Sequence, residues 1–168
     1  MTANGREGTD SLARIVFALL IVCCFAAFFI TQRLKHTPTL LQEFRFAGHF
    51  SPHAPAGHNL EAISFKPANA ERITVTIVDA DEHTVATLFV GHAVARYKRF
   101  SLRWNGREGT ADGYTTLTSP DGRALLVPNT DGSIAPAGEY HVDVTLLGQG
   151  GRVIPSTGDF TLQNAPAR

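Results

Sequence analysis

From Ile15 to Ile30 every position is apolar, IVFALLIVCCFAAFFI, and the uncharged stretch runs on to Gln32. No face carries a polar stripe, so this is not the pattern of a helix half-buried in a soluble core. At about 1.5 Å per residue the uncharged segment covers about 27 Å, close to the hydrocarbon thickness of a bilayer. Arg14 before it, and Arg33 and Lys35 after it, stand where long cationic side chains reach the headgroups. The pattern predicts one transmembrane helix over 12–32, preceded by a disordered cytoplasmic tail over 1–11. A linker over 33–42 follows, in which Pro38 stops the helix. A cleaved signal peptide is the competing reading. Bulky Phe28, Phe29 and Ile30 stand where a peptidase needs small residues, which favours a retained anchor.

Beyond the linker the period changes from helical to alternating. Strands are predicted near 43–48, 60–66, 72–79, 84–90, 99–104, 139–147 and 159–163. Phe100, Leu102 and Trp104 face one way, and Arg99, Ser101 and Arg103 the other. Tyr140, Val142, Val144 and Leu146 oppose His141, Asp143 and Thr145, while Ile73, Val75 and Ile77 oppose Thr74 and Thr76. The apolar sets define the expected core. Seven short strands separated by Gly, Pro, Asp and Asn describe an all-β, Ig-like or fibronectin III-like sandwich over 43–163, with 164–168 as a tail.

Between Gly109 and Gly138 lie three Asp-Gly pairs, at 112, 121 and 131. YTTLT and RALLV flank the middle one, which predicts a hairpin inserted over about 109–135. A calcium array would need several carboxylates converging on one point, and intervening strands separate these turns.

Composition narrows the function. The 168 residues carry 15 basic and 15 acidic side chains, a balance unlike that of a protein that coats nucleic acid. Both cysteines, Cys23 and Cys24, fall inside the apolar run, leaving the globular part without a disulfide, a thiol nucleophile or a Cys-based zinc site. No Asn-x-Ser/Thr sequon occurs either, and together these features lean toward a bacterial envelope. Basic residues flank the apolar run almost evenly, so the positive-inside rule leaves orientation open; an extracytoplasmic C-terminal domain at the plasma membrane is the expectation.

FSP at 50–52, ISF at 63–65, ITVTIVDADEHTVATL at 73–88, LRWNGR at 102–107 and AGEYHVDVTL at 137–146 together resemble the FlgD-type Ig-like domain family. With the anchor ahead of them, they are similar to its solitary membrane-anchored bacterial, actinobacterial-like form. The likeness covers 44–163 apart from the insertion, and W-N-G-R followed by G-E-Y is its most specific part. It implies an Ig-like fold and an envelope location. SPHAPAGHN at 51–59 lacks the carboxylates that the family often carries in that loop, so no calcium role is carried over.

Candidate chemistry is sparse. His49, His53 and His58 form the densest histidine group, but Pro52, Pro55 and Gly57 break helical alignment and no fourth ligand is near; no metal site and no cofactor is expected. There is no GxSxG, HExxH, P-loop or GxGxxG signature, so no catalytic residue is assigned and a non-enzymatic role is expected. Arg96, Lys98, Arg99, Arg103 and Arg107 place five cations within twelve residues, while the chain from 41 onward is otherwise slightly acidic. They are either a charged edge that discourages strand addition or a docking face for an anionic lipid, polymer or envelope protein. Two roles follow. One is a single-pass, membrane-anchored binding or scaffolding module; the other is an accessory subunit whose transmembrane helix contacts partners in a complex, with Ala26 and Ala27 permitting close packing.

Overall fold

The computed structural model describes residues 6–35, 40–55, 58–118, 122 and 124–164. The chain divides into two units at residues 39 and 40. The first contains helix α1 (Arg6–Lys35), which begins inside the stretch expected as a disordered tail. Its segment Ala13–Thr31 is long and apolar enough to cross a membrane, and a signal sequence has the same character. Phe17, Val22, Phe25 and Phe29 are all mostly exposed.

The second unit is an all-β sandwich of two sheets. Its strands are β1 (Leu41–Phe46), β2 (His49–Phe50), β3 (Glu61–Pro67), β4 (Glu71–Asp79), β5 (Thr84–Val94) and β6 (Phe100–Trp104). They continue with β7 (Gly109–Thr110), β8 (Tyr114–Thr118), β9 (Ala124–Pro128), β10 (Gly138–Leu146), β11 (Arg152–Pro155) and β12 (Phe160–Leu162). The first sheet runs β1-β3-β6-β9-β8; the second runs β2-β12-β10-β4-β5-β7, with β11 also paired to β10.

All seven expected strands are present in outline. The additions, β2, β7 and β11, are too short for alternation to reveal them. β1 starts at Leu41, two residues inside the expected linker, because Leu41 is buried against the core. The 114–128 hairpin forms, although Ser119, Pro120 and Asp121 of its turn lie outside the described residues. It is built into the fold: β9 lies parallel to β6, Leu102 facing Leu126, and extends the first sheet by two strands.

Between the sheets, Ile73, Val75 and Ile77 of β4 and Val142 and Val144 of β10 are fully buried, as are Leu102 and Trp104 of β6 and Ile63 and Phe65 of β3. Trp104 is the hub, with ring centroids 5.7 Å from Phe50, 5.7 Å from Tyr140 and 5.9 Å from Phe160. Phe100 is half-buried at the other end, its ring tilted against Phe65 and edge-on to Phe89.

The turn after Trp104 explains why W-N-G-R stands out in the sequence. Asn105 Oδ1 accepts the Arg107 N–H at 3.0 Å and the buried Thr130 hydroxyl at 2.7 Å, while its Nδ2 donates to the Thr130 carbonyl at 3.1 Å. Gly106 has φ 76° and a Cβ there would come within 2.6 Å of the Pro52 ring, so the position requires glycine. Tyr140 anchors the opposite sheet, its hydroxyl donating to the Pro136 carbonyl at 2.6 Å, and burial raises its pKa. This is the local bond of a tyrosine corner.

Candidate functional site

Strand alternation places Ala62, Ser64 and Lys66 of β3, and Ser101 and Arg103 of β6, on the outer face of the first sheet. Register then decides which of them meet. Arg45 of β1 pairs with Ser64, and Ser64 with Ser101, so a row of Arg-Ser-Ser crosses three strands; Ala62 opposite Arg103 forms the next row. A bulge in β1 between Gln42 and Arg45, with Glu43 at φ 53°, sets the Arg45 register. Leu125 of β9 closes the far side.

These residues line a trough of about 280 Å³ that holds Arg45, Arg99 and Arg103 together with Ser64 and Ser101, and no carboxylate lines it. Arg99 is the fixed member. It donates to the Ser64 hydroxyl at 3.2 Å and pairs with Glu43, which also takes the Lys66 ammonium at 2.7 Å. That Lys66 bond, with the two positive charges, holds the Glu43 carboxyl below its usual range. One carboxylate therefore balances two cations at the rim. Arg45 and Arg103 remain directed to the trough.

A second hollow of about 210 Å³ adjoins this one and shares Ala47, Ala62 and Arg103 with it; His49, Ser51, His58 and Gln163 complete its polar lining. Among the described residues no group of three or more His, Cys, Asp or Glu side chains could hold a metal ion. Beneath the shared wall Glu61 is fully buried opposite Trp104. Its Oε1 accepts the Ala47 N–H at 2.7 Å, whereas Oε2 has no hydrogen-bond partner. Burial raises its pKa, against the opposing pull of the Ala47 and Gly48 N–H groups and of Arg103.

The five cations expected as one face separate. Arg99 and Arg103 lie in the trough, but β6 is an interior strand between β3 and β9, so they do not guard a sheet edge. Arg96 lies over the Tyr97 ring at 4.7 Å and donates to the Ala68 carbonyl. Lys98 is exposed in the β5–β6 turn, and Arg107 donates to the Gly132 carbonyl at 2.9 Å. Arg45, Ser64 and Ser101, absent from the sequence candidates, take their places. Alternation alone points Ser64 and Ser101 outward; Arg45 depends on the bulge.

The DADEH stretch at 79–83 is a tight turn. Asp79 Oδ1 accepts the Asp81 and His83 N–H groups at 3.0 and 2.8 Å, and the His83 bond leads in lowering the Asp79 pKa.

No protein-family model and no curated protein matches the chain.

Proposed function

We propose that the chain is a single-pass, membrane-anchored, non-enzymatic binding module whose trough holds a linear anionic polymer of the cell envelope. The observation that carries this reading is the convergence of Arg45, Arg99 and Arg103 with two serine hydroxyls in one acid-free trough. Guanidinium groups match phosphate and carboxylate in bidentate geometry, and serines add neutral donors. The adjoining hollow, joined at Arg103, lets a polymer continue past the three arginines. The exposed apolar span of α1 supports anchoring, since each side chain moved from water into hydrocarbon gains about 25 cal/mol per Å². In this reading the β-sandwich faces away from the cytoplasm of a bacterial cell. Its likeness to the FlgD-type Ig-like family belongs to the same proposal, carried by Trp104-Asn105-Gly106-Arg107 and Gly138-Glu139-Tyr140.

The test uses the full chain in zwitterionic nanodiscs with inorganic polyphosphate as the probe and neutral dextran as control. Saturable binding of polyphosphate, weakening as salt rises, is expected. The pair Arg45→Gln and Arg103→Gln should weaken it at least tenfold. Binding unaffected by the pair overturns the reading.

A further inference from the structure

Four of the sandwich's free strand edges carry a protective device, and one does not. β1 presents Gln42, Glu43 and Arg45 and is bulged. β2 and β7 are two residues long, and β11 carries Arg152 and Pro155. Charge, bulges, proline and shortness all discourage strand addition. β8 ends the first sheet with Tyr-Thr-Thr-Leu-Thr, which has no charge and no proline, and its register with β9 is unbroken from Tyr114–Pro128 to Thr118–Ala124. All five residues are exposed.

The phase of the ladder identifies the free backbone groups. Asn129 N–H donates to the Gly113 carbonyl at 2.9 Å, and Pro128, opposite Tyr114, has no N–H to give. Hydrogen-bonded pairs alternate along an antiparallel ladder, so Thr115 and Leu117 spend their groups on β9. Tyr114, Thr116 and Thr118 direct their N–H and C=O groups away from the sheet.

We propose that this edge is a homodimer interface, occupied by β8 of a second copy running antiparallel about a two-fold axis through Thr116. The free groups are self-complementary in that register. Tyr114 meets Thr118 of the second copy, Thr116 meets its own counterpart, and each such pair exchanges two backbone bonds. Threonines facing one another across strands are favourable, and an uncharged edge brings no repulsion between identical chains. With no charge along it, β8 offers little to select a foreign peptide. The half-exposed Tyr114 ring, 5.6 Å from Phe89 and 5.7 Å from His92, ties the edge to β5. Pairing joins the two five-stranded sheets into one, with both arginine troughs on the same side. The interface does not depend on what those troughs bind.

The experiment uses the full chain in detergent micelles with Cys23→Ser and Cys24→Ser. Thr116 lies on the axis, where Cα atoms of a hydrogen-bonded pair are about 5.5 Å apart, inside disulfide range. Mild oxidation of Thr116→Cys should give a covalent dimer, and Gln42→Cys on the β1 edge should not. Sedimentation should report a dimer for the parent and a monomer for Thr116→Lys, which sets two ammonium groups face to face, while its tryptophan emission stays that of a folded domain. A monomeric parent, equal crosslinking at 42 and 116, or a dimer that survives Thr116→Lys would each overturn the proposal, the last by placing association elsewhere in the chain.

Discussion

The indole N–H of Trp104 donates to the Arg107 carbonyl at 2.9 Å, so the largest fully buried side chain of the sandwich also closes the turn that follows it. The contact couples core packing to the loop that carries Asn105 and Gly106. Trp104→Ala should cost about 3–5 kcal/mol, and Trp104→Phe less, by keeping most of the ring volume while losing the bond to Arg107. Urea denaturation of the β-sandwich in the full chain measures both. Native emission typical of water-exposed indole would contradict the packing itself.

Asn105 and Thr130 exchange two hydrogen bonds across a separation of 25 residues. Asn105→Ala should destabilise by about 1–3 kcal/mol, since it leaves the part-buried Thr130 hydroxyl and carbonyl without their partner, and Thr130→Val by less, because Asn105 Oδ1 still accepts the Arg107 N–H. The double variant should cost clearly less than the sum. Strict additivity in that cycle would mean the two side chains act independently.

Glu61 gives the stability a defined pH dependence. Its folded pKa is raised by burial, so the folded state holds a proton that the unfolded chain releases. Between the ordinary carboxylate value of 4.5 and the raised folded value, stability therefore falls as pH rises. Glu61→Gln keeps an acceptor for the Ala47 N–H and removes the titration, so its stability should be flatter across that window. Parallel urea midpoints for parent and variant from pH 4 upward test this, and identical slopes would refute it.

Arg99 and Arg103 share a trough but not a role. Arg99→Gln breaks the contacts to Glu43 and Ser64 and should lower stability by up to about 1 kcal/mol, the scale of a surface ion pair. Arg103→Gln should leave stability nearly unchanged and weaken polyphosphate binding. Thermal melts and binding curves on the same samples separate the two, and a common effect would contradict the asymmetry.

The topology proposal places Ser11 inside and Asp112 outside. Single cysteines at these positions, in a chain lacking Cys23 and Cys24, should react with an impermeant thiol reagent in intact cells at 112 only. Labelling at 11 alone would invert the orientation. A mature N-terminus beyond Ile30 would make the apolar run a signal peptide and remove the tether.

The sequence by itself determined the elements whose cause is local. An apolar run from Ile15 to Ile30 gives an apolar helix whatever surrounds it, and alternation in Ile73–Ile77, Phe100–Trp104 and Tyr140–Leu146 specifies which side chains enter a core. Trp104 and Tyr140 were legible for the same reason, whereas β2, β7 and β11 were not, because strands of two to four residues exist only through their neighbours. Tertiary structure decided everything that depends on register. Arg45 joins Arg99 and Arg103 because a bulge at Glu43 shifts β1 against β3, and Arg96, Lys98 and Arg107, close in sequence, disperse because turns on either side of β6 redirect the chain. It also decided that β9 would lie parallel to β6, leaving β8 as the open edge. Side-chain direction along one strand follows from covalent geometry, but which strands become neighbours depends on long-range pairing that no short window of residues contains.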